Sequence, residues 1–188
     1  MLVWDRDHYL RLRRDYQPEN IKLVIIAESP PASGKYFYDT TGSAKEPLFA
    51  AIMRQLDLSP SSKQAGLREL QERGWVLVDA TYQPVDKLTK NASHDRDEAI
   101  GRDYQLLLDD LASLMPDRFV PVVLIKANVC RILEPLLLKD GFRVLTVAGR
   151  STSRAMVGKR NLTINSVPLY PVAKVSRPKE IAARATVS

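Results

Sequence analysis

The stretch from Lys22 to Asp39 reads KLVIIAESPPASGKYFYD. An aliphatic run ends on Glu28, and Ser29, Pro30 and Pro31 follow at once. Proline fixes φ and lacks a backbone donor, so the carboxylate sits in a stiff turn. Two familiar chemistries fail here. A phosphate loop, G-x-x-x-x-G-K-[ST], needs glycine where Ser29 stands and Ser or Thr where Tyr36 stands, and the two prolines remove donors the phosphates require. A Ser29 nucleophile with His94 as base lacks the glycines of a nucleophile elbow. A carboxylate beside the aromatic cluster Tyr36-Phe37-Tyr38 is what remains.

Other reactive residue types are scarce. Cys130 is the one cysteine and His8 and His94 the two histidines, so neither a disulfide within the chain nor zinc chemistry is expected. His94 reads as a neighbour of a helix cap, Cys130 as a helix core residue, and Trp4 and Trp75 as core anchors. Asp86 and Lys87, in the loop YQPVDKL, are candidates to line a cleft. Charge is unevenly spread. From Gly141 to Ser188 there are nine Lys or Arg against Glu180 alone, within a chain whose net charge is +6. Basic residues interleaved with apolar ones imply a polyanionic partner, nucleic acid first.

The elements that must position these residues follow from periodicity. The chain has 188 residues, 45% of them hydrophobic and 27% charged, which fits one domain spanning residues 1–188 with a single substantial core. No apolar run reaches the length of a membrane span, the N-terminal stretch is too polar for a signal peptide, and the expected compartment is the cytoplasm. Helical spacing covers residues 4–15, IKLVIIA is a strand buried on both faces, and Pro47 opens a helix through LFAAIMRQL. A short helix ends at Gly74, WVLVDA is the second strand, and one helix runs from about Asp95 to Leu114. VPVVLIKA is the third strand, NVCRILEPLLLKD a helix and FRVLTV the fourth strand. Strands alternating with helices predict an α/β fold: a three-layer sandwich around a central, mainly parallel four-stranded sheet. In such sheets ligands bind at the carboxyl ends of the strands, which gathers Glu28, Asp79 and the residues after Ile125 along one edge.

The segment IIAESPPASGKYF resembles the first motif of the uracil-DNA glycosylase superfamily, in the branch that reads Gly-Glu-Ala-Pro-Gly and then Gly-Arg-Pro-Phe after a strand. Ala27 to Pro31 stand for the pentapeptide and Gly34 to Phe37 for the tetrapeptide. WVLVDATYQP resembles the strand and proline loop that follow in that family, with Asp79 in the place of an asparagine. The resemblance is one of pattern over about 150 residues, and the first motif is its most specific part.

The resemblance implies a divergent member of that superfamily that binds DNA and hydrolyses an N-glycosidic bond. Glu28 would position a water and stabilise the sugar cation. Phe37, with Tyr36 beside it, would stack on a flipped base, and Asp79 would face the base edge. Arg150, Arg154, Lys159, Arg160 and Lys174 would follow the phosphate backbone. No cofactor or metal is expected, and the chain is expected to act as a monomer. Three departures mark this sequence. No histidine follows His94, so Tyr170-Pro171 stand where the second motif is expected. The branch's four cluster-binding cysteines are absent. An ionised Asp79 offers acceptors only, where an amide offers a donor and an acceptor. The alternatives are a non-catalytic nucleic-acid or nucleotide-binding module of the same fold, and a hydrolase or transferase acting on a small nucleotide.

Overall fold

The computed structural model describes residues 6–85 and 92–145. Helix α1 (Arg6–Arg14) leads into strand β1 (Leu23–Ala27), every residue of which is buried. Helix α2 (Pro47–Gln55) starts on its proline, where a missing N–H costs nothing. Helix α3 (Lys63–Arg73) is capped by Ser62, whose hydroxyl accepts from the Ala65 N–H at 3.1 Å. It stops at Gly74, which takes φ 78° and leaves no room for a side chain, since a Cβ there would lie 2.6 Å from the Asn20 carbonyl oxygen. Strand β2 (Trp75–Asp79) follows directly.

The single helix expected from Asp95 to Leu114 is two, α4 (Ala92–Arg102) and α5 (Tyr104–Leu114). Asp103 separates them, its carboxylate taken by the Thr81 hydroxyl at 2.5 Å and Arg102 at 3.0 Å. That tie fastens the helix junction to the loop after β2. Strand β3 (Val122–Leu124) precedes helix α6 (Ala127–Lys139).

The strands are parallel in the order β2-β1-β3, with Ala27 opposite Asp79 and Ile26 opposite Leu124. Alternation gives each face its own core. Leu23, Ile25, Trp75, Leu77 and Val123 pack with residues of α1, α2 and α3. Val24, Ile26, Val76, Val78, Val122 and Leu124 pack with residues of α4, α5 and α6. The α/β sandwich expected from the sequence is thus present, but its sheet has three strands among the described residues, where four were expected. The predicted fourth strand contributes one parallel bridge, Val144 to Val122, with backbone bonds of 2.8 Å to either side; a single rung is too short a ladder to count as a strand, and residues beyond Leu145 lie outside the described part.

Candidate functional site at the carboxyl edge of the sheet

β1 is central, and the chain leaves it first for β2 on one side and later for β3 on the other. The carboxyl ends of β1 and β3 therefore flank a topological switch point, where an open α/β sheet offers a crevice. Glu28 lies there, one residue past β1. The ladder continues beyond the strand ends: Ile125 N–H donates to the Ile26 carbonyl at 2.9 Å and Thr81 N–H to the Glu28 carbonyl at 3.2 Å. This register sets Glu28 across from the β3–α6 junction.

The Glu28 carboxylate is 5% exposed and both its oxygens are engaged. Oε2 accepts from Lys126 Nζ at 2.5 Å and Oε1 from Asn128 Nδ2 at 2.5 Å. Lys126 has φ 79° and ψ 145°, a backbone conformation that only glycine adopts freely. Neither Lys126 nor Asn128 was singled out from the sequence. The signal available was their position, immediately after a buried strand's carboxyl end.

Asp79 ends β2 on the opposite face of the sheet, since it alternates with Trp75 and Leu77, whereas Glu28 continues the row of Val24 and Ile26. It is 3% exposed. Burial pushes its pKa up to about 7, against the pull of Arg13, Tyr36 and Lys126, with Asp110 adding to the rise. The Tyr36 hydroxyl lowers that pKa as a donor would, while Tyr36 Oη and Asp79 Oδ2 are both buried without a hydrogen-bond partner. Near neutral pH a large fraction of Asp79 is protonated. In that form it offers one donor and one acceptor, as an amide does, but at 3% exposure it presents neither to solvent.

The loop between β1 and α2 delivers the aromatic cluster. Gly34, at φ 78°, turns the chain, its N–H bonding the Pro31 carbonyl at 3.0 Å. Buried Lys63 donates to the Tyr36 carbonyl at 2.6 Å and to Glu46 at 2.7 Å, and the Tyr38 hydroxyl bridges the N–H and C=O of Leu77 on the outer edge of β2. Tyr36 packs 4.7 Å from Tyr9. Phe37 lies in the core, 5% exposed, with its ring 5.4 Å from Phe49 and 5.1 Å from Tyr38. It presents no face to solvent on which a base could stack. Asp79 and Tyr36 are brought together; Phe37 and Glu28 are turned elsewhere.

Behind Asp79, Arg13 and Asp110 form a buried two-pronged pair with both contacts at 2.6 Å, and Tyr82 bonds Arg13 at 3.0 Å. Burial opposes the Arg13 charge most strongly, but the Asp110 hydrogen bond together with the electrostatic pull of Tyr82, Asp110 and Tyr38 outweighs it and holds the guanidinium charged. A cavity of about 680 Å³ lies between α1 and α5; Glu28, Asp79 and Lys126 do not line it.

Of the remaining candidates, Ser29 accepts from the Val85 N–H at 3.5 Å, and Cys130 is half-buried on α6. His94 lies within the first turn of α4, its side chain 82% exposed beside Asp95 and Glu98, and so does not precede the helix as expected. Asp86, Lys87, Arg150, Arg154, Lys159, Arg160, Tyr170 and Lys174 lie outside the described residues. Among the described residues, no group of His, Cys, Asp and Glu is placed to hold a metal ion, and no helix is long and apolar enough to cross a membrane. No protein-family model, curated protein or solved structure matches the chain.

Proposed function

We propose that this chain is a nucleic-acid-binding protein of the uracil-DNA glycosylase-like fold whose strand edge hydrolyses a base–sugar bond. The observation that carries the reading is Glu28, a nearly buried carboxylate held by Lys126 and Asn128 across the β1/β3 switch point. In the proposed reaction the C1′–N bond breaks with its electron pair going to the base. Water oriented by Glu28 adds its hydroxyl to C1′, and its proton is passed on to the departing base. Asp79, 3% exposed and on the other face of the sheet from Glu28, supports the end of β2 in this reading and does not face the base. Phe37 holds the loop in the core in this reading and does not serve as the stacking ring. The reading includes a fourth parallel strand continuing from Val144, DNA bound along the C-terminal basic residues, a monomeric state and a cytoplasmic location.

Two observations favour a second reading, a non-catalytic nucleic-acid or nucleotide-binding module. Phe37 is buried, and the Glu28 charge is neutralised by Lys126. Oligonucleotides bearing uracil, hypoxanthine, xanthine and mismatches, incubated with the protein and then cleaved at abasic sites, separate the two. The hydrolase reading expects strand cleavage for at least one base, falling about 10²-fold or more in Glu28→Gln without loss of binding. Binding with no abasic product for any base establishes the module instead.

A further inference from the structure

Glu28 as it stands cannot oppose a cation well. An ammonium 2.5 Å from one of its oxygens turns the charge into a short dipole. The same ammonium belongs to a side chain that is 60% exposed, although the carboxylate it covers is 5% exposed. Lys126 therefore stands between Glu28 and solvent and can leave it without unpacking the core. Asn128 holds the other carboxylate oxygen from α6 and would keep Glu28 oriented once Lys126 had left. The backbone of Lys126 adds to this. A glycine would take φ 79° and ψ 145° without strain, whereas a lysine there holds a strained backbone, as residues at functional sites often do.

We propose that Lys126 binds a phosphate group of the substrate and masks Glu28 until that phosphate draws it away. An ammonium paired with a carboxylate is released most readily by a competing anion, and phosphate groups flank every sugar of a nucleic acid strand. Binding then does two things in one movement: it anchors the substrate and frees the carboxylate beside the sugar. This inference rests on the glycosidic reading only for what Glu28 does once it is unmasked.

The test measures binding without turnover. A labelled oligonucleotide carrying a tetrahydrofuran abasic site is titrated with the full chain at several salt concentrations by fluorescence anisotropy, and inorganic phosphate serves as a competitor. Removing the internal carboxylate frees Lys126, so Glu28→Gln should bind about threefold or more tightly than the wild type. Lys126→Gln should weaken binding by about tenfold and lessen the salt slope by about one unit, while Lys126→Arg keeps most of both. Melting curves confirm that each variant is folded. Should Lys126→Gln prove unfolded, the Glu28→Gln and Lys126→Arg arms decide alone. Competition by inorganic phosphate that is lost in Lys126→Gln identifies the phosphate group itself as the ligand. Competition absent in every variant, alongside the Glu28→Gln gain on the oligonucleotide, identifies the phosphodiester of a strand.

Unchanged or weaker binding in Glu28→Gln overturns the proposal and makes the ion pair structural, as does a wild type that binds neither probe. The glycosidic reading fails separately. Tighter binding in Glu28→Gln with no base released by the wild type leaves the phosphate role standing and removes the hydrolase.

Discussion

Asp79 is the residue whose burial has the most to say about pH. Its pKa in the fold, about 7, lies above the ordinary carboxylate value of 3.8, because burial disfavours the charged form. The folded chain therefore holds a proton between these values that the unfolded chain gives up. Stability is unaffected by this group below about pH 4, falls as pH rises towards 7, and levels off above it. The full loss is on the order of 4 kcal/mol, from about 1.4 kcal/mol for each pKa unit. Asp79→Asn keeps the shape and a donor and acceptor but cannot ionise. Its melting temperature should change little between pH 5 and 8, where the wild type's declines, and the variant should be the more stable at pH 8. Thermal melts across that range check it; parallel curves would mean that Asp79 is ionised throughout. Arg13 behaves differently, since its charge is matched by Asp110. Arg13→Met leaves a buried carboxylate without its cation and should cost about 3–5 kcal/mol in a urea titration.

At the level of elements, the loop between β1 and α2 is held by ties that lie far away in sequence. Lys63, the first residue of α3, fixes the Tyr36 carbonyl, and the Tyr38 hydroxyl fixes the edge of β2. The aromatic cluster is thus bound to α3 and to β2, both later in the chain. The α3–β2 junction is equally constrained. Gly74 combines a positive φ with a backbone oxygen where a side chain would go. Gly74→Ala should lower stability by about 1–3 kcal/mol, more than the usual cost of an alanine at a left-handed cap, because the Asn20 segment has to shift as well. Chemical denaturation measures it. A loss under 0.5 kcal/mol, within the ordinary range for surface changes, would mean the junction relaxes freely.

For the molecule as a whole, the question is what the basic last quarter of the chain touches. Phosphate contacts position a strand without reading its sequence and make affinity fall with salt. Arg154→Ala and Lys159→Ala together should therefore weaken single- and double-stranded DNA of different sequences alike. Each true contact removed should lessen the salt slope by about one unit. Titration at several salt concentrations measures this, and an unchanged slope would assign the charge to a surface that meets no strand. The strand edge supplies a phosphate-binding cation of its own in Lys126, so the two effects are separable by combining the variants.

Local pattern was enough for the α/β alternation and for β1 and β2, the second ending one residue short of the expected Ala80, because continuous aliphatic runs bounded by polar and proline residues have few other solutions. It was enough, too, for Pro47 at the start of α2 and Gly74 at the end of α3, where the backbone preferences of proline and glycine point to the same places. It marked Glu28 as a carboxylate at a strand end. It misjudged Phe37, because an aromatic near a site and an aromatic beneath one have the same local sequence, and only packing against Phe49 from α2 separates them. Periodicity carried one helix across Asp103, since the break depends on Thr81, which is 22 residues earlier in the chain. The partners of Glu28 were out of reach for the same reason. Lys126 and Asn128 are about a hundred residues away, and only the parallel pairing of β3 beside β1 brings them to it. The raised pKa of Asp79 likewise belongs to the tertiary structure, because it follows from burial at the end of β2, among groups as remote in sequence as Arg13, Tyr36 and Asp110.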